Sequence, residues 1–172
     1  MPTSARDLTR AVALLVMVSM VIVAALPAVT ASAGYYSVGI GFVVSVSTPT
    51  GVRVSLYPPM LVPVILLAAA AFYALRGARS SAAYLSIAAL SYYIVVALEL
   101  AYGLSYLRGL AVLYGSPGAL YSVLVVPGAR PTIYLPPLIV MTIASASTLM
   151  ASIWPEVRRA PEAAEAEVRG RG

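Results

Sequence analysis

Residues 82–104 read AAYLSIAALSYYIVVALELAYGL, and this stretch decides the fold class. It contains one acidic or basic side chain, Glu99. An α-helix needs about 20 mainly apolar residues to cross a bilayer. Three other stretches are similarly apolar and contain no acidic or basic residue: 11–32, 59–75 and 137–154. The sequence therefore predicts four membrane-spanning helices.

The composition supports a membrane domain. The chain is 61% hydrophobic and only 10% charged, which is more apolar material than a soluble domain of this size can bury. In a bilayer, lipid covers the apolar exterior. We expect one four-span membrane domain, residues 1–154, followed by a polar cytoplasmic tail, residues 155–172.

Five residue types are absent from the chain: His, Cys, Lys, Asn and Gln. Their absence excludes disulfides, thiolate and imidazole chemistry, Schiff bases and most transition-metal sites within the chain. We expect no enzyme activity, no catalytic residue, no cofactor and no metal site. The lack of Asn, Gln and Cys fits a hot habitat or a GC-rich genome, and the sequence leaves both open.

The arginines indicate how the chain is threaded. A net charge of +5 would suggest nucleic acid in a soluble protein, but here arginines flank the apolar stretches, so we expect no nucleic-acid partner. The loops 33–58 and 105–136 hold only three of them. The positive-inside rule then places both termini in the cytoplasm and both loops outside the cell membrane. Eight arginines lie on the cytoplasmic side: Arg6, Arg10, Arg76, Arg79, Arg158, Arg159, Arg169 and Arg171.

The N-terminal stretch has a second interpretation. Two arginines, an apolar run and the A-x-A sequence of residues 31–33 are also typical of a secretory signal peptide. Cleavage of residues 1–33 would leave three spans. We favour an uncleaved first helix because the apolar run continues past Leu26.

The first outer loop has the alternation of a β-strand. From Tyr36 to Ser47 every second residue is apolar or aromatic, which predicts one strand with two distinct faces. Residues 48–51, Thr-Pro-Thr-Gly, predict a turn, and Val52–Leu56 alternates again as a return strand.

The second outer loop has a weaker strand pattern. Leu110–Tyr114 and Ala119–Val126 flank a Gly-Ser-Pro-Gly turn, and Thr132–Leu135 predicts a short edge strand. We expect both loops to form one small extracytoplasmic antiparallel sheet over the helix ends. The predicted fold class is an all-α membrane protein, a four-helix transmembrane bundle, with a small β cap.

Prolines mark the predicted helix starts. Pro58-Pro59 and Pro136-Pro137 open the second and fourth spans, where a missing N–H costs nothing. Pro27 and Pro63 lie further inside the predicted helices, so we expect each to produce a kink.

This layout resembles the claudin-type tetraspan arrangement of four helices, an outer sheet from two loops and cytoplasmic termini. The resemblance covers architecture only. The tryptophan-rich loop motif and its paired cysteines are absent, because the chain has no Cys and its one Trp is Trp154. The resemblance therefore implies no function and no site residues.

Glu99 is the residue that most needs a functional explanation. We expect its polar cluster, Glu99 with Tyr92, Tyr102 and Tyr106, to face the bundle. At helical spacing this cluster belongs to a broad stripe that also contains Tyr84, Ala88, Ser91 and Val95. Glu99 has three interpretations: a structural hydrogen-bonding group, an ion-pair partner for an arginine, or a cation or proton site.

The sequence favours a structural or accessory membrane subunit without catalysis of its own. The alternative is a small channel or transporter component that uses Glu99. The expected partners are the lipid bilayer and either another membrane subunit or a second copy of the chain.

Overall fold

The computed structural model describes residues 5–114 and 130–170, with side chains for residues 6–103 and 130–154 except positions 33, 36, 48 and 53. The chain is mostly helical and has one small antiparallel sheet. The helices are α1 (Ala5–Ala25), α2 (Leu61–Leu75), α3 (Arg79–Tyr114) and α4 (Leu135–Gly170). The strands are β1 (Val29–Ala33), β2 (Tyr36–Ile40), β3 (Val43–Thr48), β4 (Gly51–Leu56) and β5 (Thr132–Ile133), and a 3₁₀ turn, Pro58–Met60, precedes α2.

In the part of the chain that the structure describes, four helical segments are long and apolar enough to span a membrane, which agrees with the predicted number. They are Arg6–Ala25, Pro58–Leu75, Arg79–Gly103 and Leu135–Trp154. The predicted end of the first span at residue 32 is wrong, since α1 ends at Ala25 and residues 29–33 form β1. Pro27 explains the difference, because proline disfavours helix at the residue before it.

The two predicted proline kinks are also wrong. Pro27 lies beyond the end of α1, and Pro63 lies in the first turn of α2. N–H groups in a first turn have no partner within the helix, so Pro63 removes no helical hydrogen bond there. Pro136 and Pro137 lie at the start of α4, as the sequence predicted.

Small side chains form the contacts between helices. Consecutive helices pack together and α4 closes against α1. Ala residues at these contacts are almost completely buried, which lets the backbones approach closely. They include Ala13, Ala70, Ala74, Ala82, Ala89 and Ala144.

The sheet joins strands from both of the loops that the sequence predicted to lie outside. Its strand order is β4-β3-β2-β1-β5, and every pairing is antiparallel. Val38, Ile40 and Val44 are buried and belong to the same core as Leu67 of α2 and Tyr93 of α3. One face of the sheet therefore packs on the helices.

The predicted long strand Tyr36–Ser47 is two strands. The chain reverses after Ile40, which lies opposite Val44. Gly41 permits this reversal because a Cβ there would lie 2.7 Å from the carbonyl oxygen of Leu26. The predicted turn at residues 48–51 and its return strand are confirmed, since β3 pairs with β4 and Thr48 lies opposite Gly51.

The second loop follows the prediction only at its end. The predicted strand Leu110–Tyr114 is wrong, because these residues continue α3. The segment Ala119–Val126 lies outside the described residues. The short edge strand is confirmed as β5, which pairs with β1. In the tail, α4 continues as helix to Gly170.

Candidate functional sites at the two ends of the bundle

The predicted polar stripe lies on the exposed side of α3. Tyr84 and Tyr102 are 72% and 75% exposed, Ser91 and Glu99 are exposed, and Tyr92 is half-buried. The expectation that Glu99 faces the interior of its own bundle is therefore wrong. The side chain of Tyr106 is not among those described, so its place in the cluster stays a prediction.

The opposite face of α3 packs into the bundle. It carries Ala82, Ser86, Ala89, Tyr93 and Val96, all buried, at alternating spacings of four and three residues. Small and aromatic side chains occur on both faces of α3. The absence of a sharp difference in polarity explains why sequence spacing alone selected the wrong face.

The polar groups of this buried face belong to Ser86 and Tyr93. The Ser145 hydroxyl of α4 donates a hydrogen bond to the Ser86 carbonyl of α3 at 2.9 Å. The Tyr93 hydroxyl is also buried, and it has no hydrogen-bond partner among the described residues. The Ser86 hydroxyl is likewise buried without a hydrogen-bond partner among the described residues. This face of α3 therefore carries two unsatisfied hydroxyls and one carbonyl that accepts a bond from α4.

The structure adds Tyr57 to the surroundings of Glu99. Tyr57 lies between β4 and the 3₁₀ turn, and its backbone N–H donates to the Phe42 carbonyl at 2.9 Å. Burial raises the pKa of Tyr57, and the nearby Glu99 carboxylate and Tyr92 phenol raise it further. The sequence signal for Tyr57 was its position just before Pro58-Pro59, which places it at the outer end of a helix.

A basic cavity lies at the opposite end of the bundle. Its volume is about 410 Å³, and its lining brings together residues from the start of α1 and from the α2–α3 connection. Four of the seven lining residues are arginines, and none is acidic. The lining residues are Arg6, Thr9, Arg10, Leu75, Arg76, Gly77 and Arg79.

The α2–α3 connection is a closely hydrogen-bonded turn. The Gly77 N–H donates to the Ala74 carbonyl and the Ala78 N–H donates to the Tyr73 carbonyl, both at 3.0 Å. This is the Schellman pattern that ends helices, and it requires the positive φ of 81° found at Gly77. The turn therefore fixes the backbone positions of Arg76 and Arg79, which lie on either side of Gly77.

Two further contacts position those arginines. The Arg79 guanidinium donates to the Thr9 hydroxyl at 3.3 Å, which joins α3 to α1. The Arg76 guanidinium carbon lies 4.2 Å from the centre of the Phe72 ring, a cation–π distance. The cavity wall is thus tied to three helices.

The two ends offer different chemistry. Glu99 with Tyr57 and Tyr92 offers one carboxylate and two phenols, which can accept and donate hydrogen bonds to a protein neighbour. The basic cavity offers guanidinium donors, which suit carboxylates and phosphates. Within the described residues, no group of three His, Cys, Asp or Glu side chains could hold a metal ion.

The sequence matches no protein-family model and no curated protein. The function of these sites therefore has to be argued from their geometry and chemistry.

Proposed function

We propose that the chain is a multi-pass protein of the cell membrane, with both termini in the cytoplasm, that serves as a structural or accessory subunit and performs no catalysis itself. The observation that carries this proposal is the exposed polar stripe of α3. Small residues Ala88 and Ser91 lie in its middle, Tyr84 and Tyr102 lie toward its ends, and Glu99 lies near the outer end.

Such a stripe suits a protein neighbour better than lipid. An ionised carboxylate costs roughly 3 kcal/mol at the centre of a membrane helix, and neighbouring hydrogen-bond donors lower that cost. Small residues at helical spacing let a second helix approach closely. A partner helix packed along α3 would satisfy both requirements.

The channel or transporter alternative has less support. Glu99 lies on the outside of the bundle, so a path through the centre of a single chain would not pass it. The described interior is dominated by alanine and branched apolar side chains. Conduction past Glu99 would require several copies arranged around it.

A pair of tryptophan substitutions tests the subunit proposal. Ser91→Trp fills the middle of the stripe, whereas Ala68→Trp adds similar bulk at an exposed position of α2. We expect Ser91→Trp alone to reduce the size of the native complex extracted in mild detergent. Equal migration of both variants and the parent would contradict the proposal.

The threading is tested with single cysteines, because the chain has none of its own. Ser80 near the basic cavity and Ser37 on β2 are both exposed. We expect Ser80→Cys to react with an impermeant maleimide only after the membrane is opened, and Ser37→Cys to react from outside. The reverse pattern would overturn the threading.

Retention of the first helix is part of the same proposal. It is supported by β1, which lies between β2 and β5 and so connects the two outer loops. Cleavage after residue 33 would remove that strand. The intact mass of the protein from its native membrane distinguishes the two forms, and a chain starting at Gly34 would mean three spans.

A further inference from the structure

The basic cavity has the composition of an anion site. Arg6 and Arg10 are four residues apart on α1 and therefore share a face, and Arg76 and Arg79 approach from the α2–α3 connection. Four guanidinium groups line one space, and none of the other lining residues is acidic. Guanidinium groups match the oxygen geometry of phosphate with paired hydrogen bonds.

We propose that this cavity binds a phosphate group, carried by an anionic phospholipid or by a free anion. Basic pockets between membrane helices are typical sites for acidic headgroups. The positive-φ Gly77 leaves its backbone without a side chain at the cavity wall. The lipid source rests on the proposed membrane location, whereas the free-anion source does not.

The test compares two double variants of the full chain that lose equal charge. Arg10→Gln/Arg76→Gln alters the cavity, and Arg53→Gln/Arg130→Gln alters the sheet end of the chain. Each is placed in nanodiscs of phosphatidylcholine with or without phosphatidylglycerol. Retained phosphatidylglycerol is measured by native mass spectrometry, and inorganic phosphate binding in neutral discs by calorimetry.

We expect the cavity variant alone to lose affinity by about tenfold or more, because charge-assisted hydrogen bonds are the strong ones. Loss of retained phosphatidylglycerol identifies the lipid headgroup as the source. Loss of inorganic phosphate binding identifies a free anion. Equal binding by the parent and both variants, or an equal loss in both variants, overturns the site.

A separate observation concerns the edge strand β4. Val52, Val54 and Leu56 are 64%, 66% and 68% exposed, and they lie on one face because alternate residues of a strand share a face. Within the described part of the chain, β4 pairs on one side only, with β3. Proteins usually protect such apolar edges.

The hydrogen-bond ladder shows which groups of β4 point outward. Tyr57 N–H bonds to the Phe42 carbonyl, and the register sets Ser55 opposite Val44 and Arg53 opposite Val46. In an antiparallel ladder the bonded pairs alternate, so the odd-numbered residues of β4 face β3. The N–H and C=O groups of Val52, Val54 and Leu56 therefore face the open edge.

We infer that a second copy of the chain pairs with this edge, antiparallel and centred on Val54. This register sets Val52 opposite Leu56 of the partner subunit and Arg53 opposite its Ser55. A register centred on position 53 would instead place two arginines face to face, which is unfavourable. Because the strand pairs with itself, the contact closes as a symmetric dimer.

The membrane is compatible with this symmetry. The two-fold axis of such a strand pair is perpendicular to the sheet, whose buried face packs on the helices. Both copies would therefore place their bundles on the same side of the joined sheet. Under the proposed membrane location, both would then have the same orientation in the bilayer.

Cysteine crosslinking in native membranes tests the pairing. Paired residues of a bonded antiparallel pair lie about 5.5 Å apart at Cα, within the range for a disulfide, so Val54→Cys should give covalent dimers upon oxidation. Ser45 lies opposite Val54 one strand inward, which separates its two copies by about 15 Å. Ser45→Cys should therefore remain monomeric.

Two proline variants provide an independent measurement. Val54→Pro removes an N–H that faces the open edge, a position where strands tolerate proline, so the fold should persist and the dimer should be lost. Ser55→Pro removes an N–H bonded to β3, so it should unfold the hairpin. If the Val54→Cys chain stays monomeric, the proposed dimer is wrong. The same conclusion follows if a second cysteine placed in residues 119–126 crosslinks to Val54→Cys within one chain and no dimer forms.

Discussion

The two faces of α3 have similar residues in opposite environments. Tyr93 is 1% exposed and its neighbour in sequence, Tyr92, is half-buried beside the exposed stripe. Ala89 is completely buried and Ala88 is exposed. In water, polarity would separate such faces. In a helix suited to a membrane, both faces can be apolar. The size and shape of the side chains then determine which face packs against the other helices.

The largest expected difference between the faces comes from added volume. Ala89→Leu inserts three carbon atoms into the packed bundle and should lower the free energy of unfolding by about 1–3 kcal/mol. Ala88→Leu is the matched control and should change it little. Unfolding in mixed micelles titrated with dodecyl sulfate measures both. Equal losses would mean that the faces are not distinct.

The hydrogen bond between α3 and α4 should have a smaller effect on the free energy of unfolding than the added volume of Ala89→Leu. Ser145→Ala removes the donor to the Ser86 carbonyl and should cost about 1 kcal/mol of unfolding free energy. Ser147→Ala, two residues away and only half-buried, is the comparison variant in the same titration. A Ser145→Ala chain as stable as the Ser147→Ala chain would contradict a stabilising role for this bond.

Removing the Tyr93 hydroxyl from the buried face of α3 should stabilise the protein, unlike the two preceding substitutions. The Tyr93 hydroxyl is buried and has no partner within residues 6–103 and 130–154, and an unsatisfied buried group carries a desolvation cost. Tyr93→Phe should therefore raise the free energy of unfolding, by up to about 1 kcal/mol, while Tyr92→Phe should leave it nearly unchanged. Destabilisation by Tyr93→Phe would show that this hydroxyl has a partner.

The smallest expected effect is electrostatic and lies at the exposed face. Burial and the Glu99 charge both hold the pKa of Tyr57 above its usual value of 10.0. Glu99→Gln removes the charge and should lower that pKa, as read from the Tyr57 ring-carbon chemical shift assigned with Tyr57→Phe. Asp7→Asn, at the far end of α1, is the control. An unchanged Tyr57 pKa would mean that the two groups are further apart.

The raised pKa of Tyr57 also determines how its contribution to stability depends on pH. A phenol whose pKa is raised by folding stays protonated in the folded chain while the unfolded chain loses its proton. The contribution of Tyr57 is therefore fully present below pH 10.0 and is lost as the pH rises above it. Tyr57→Phe should reduce the loss of stability in that alkaline range.

The number of helices and the β-hairpin could be predicted because each depends on a local pattern. An apolar run of sufficient length sets a helix whatever it contacts, and Thr48–Gly51 encodes its own turn between alternating strands. The end of α1 and the split of residues 36–47 were missed. The end of α1 follows from Pro27, whose local effect on the residue before it was given less weight than the continuing apolar run. The split of residues 36–47 depends on the close backbone contact of Gly41 with Leu26 and Pro27, which belong to a different segment.

The candidate sites divide in the same way. Residue order alone shows that Glu99 is the one acidic or basic residue of the stretch 82–104 and that arginines gather near the opposite end of that stretch. The folded arrangement was needed to show that Glu99 lies outside the bundle near Tyr57, and that four arginines from separate segments surround one cavity. The physical reason is that residue type sets what a side chain can do, whereas the packing of small residues between helices sets which face is covered and which groups meet.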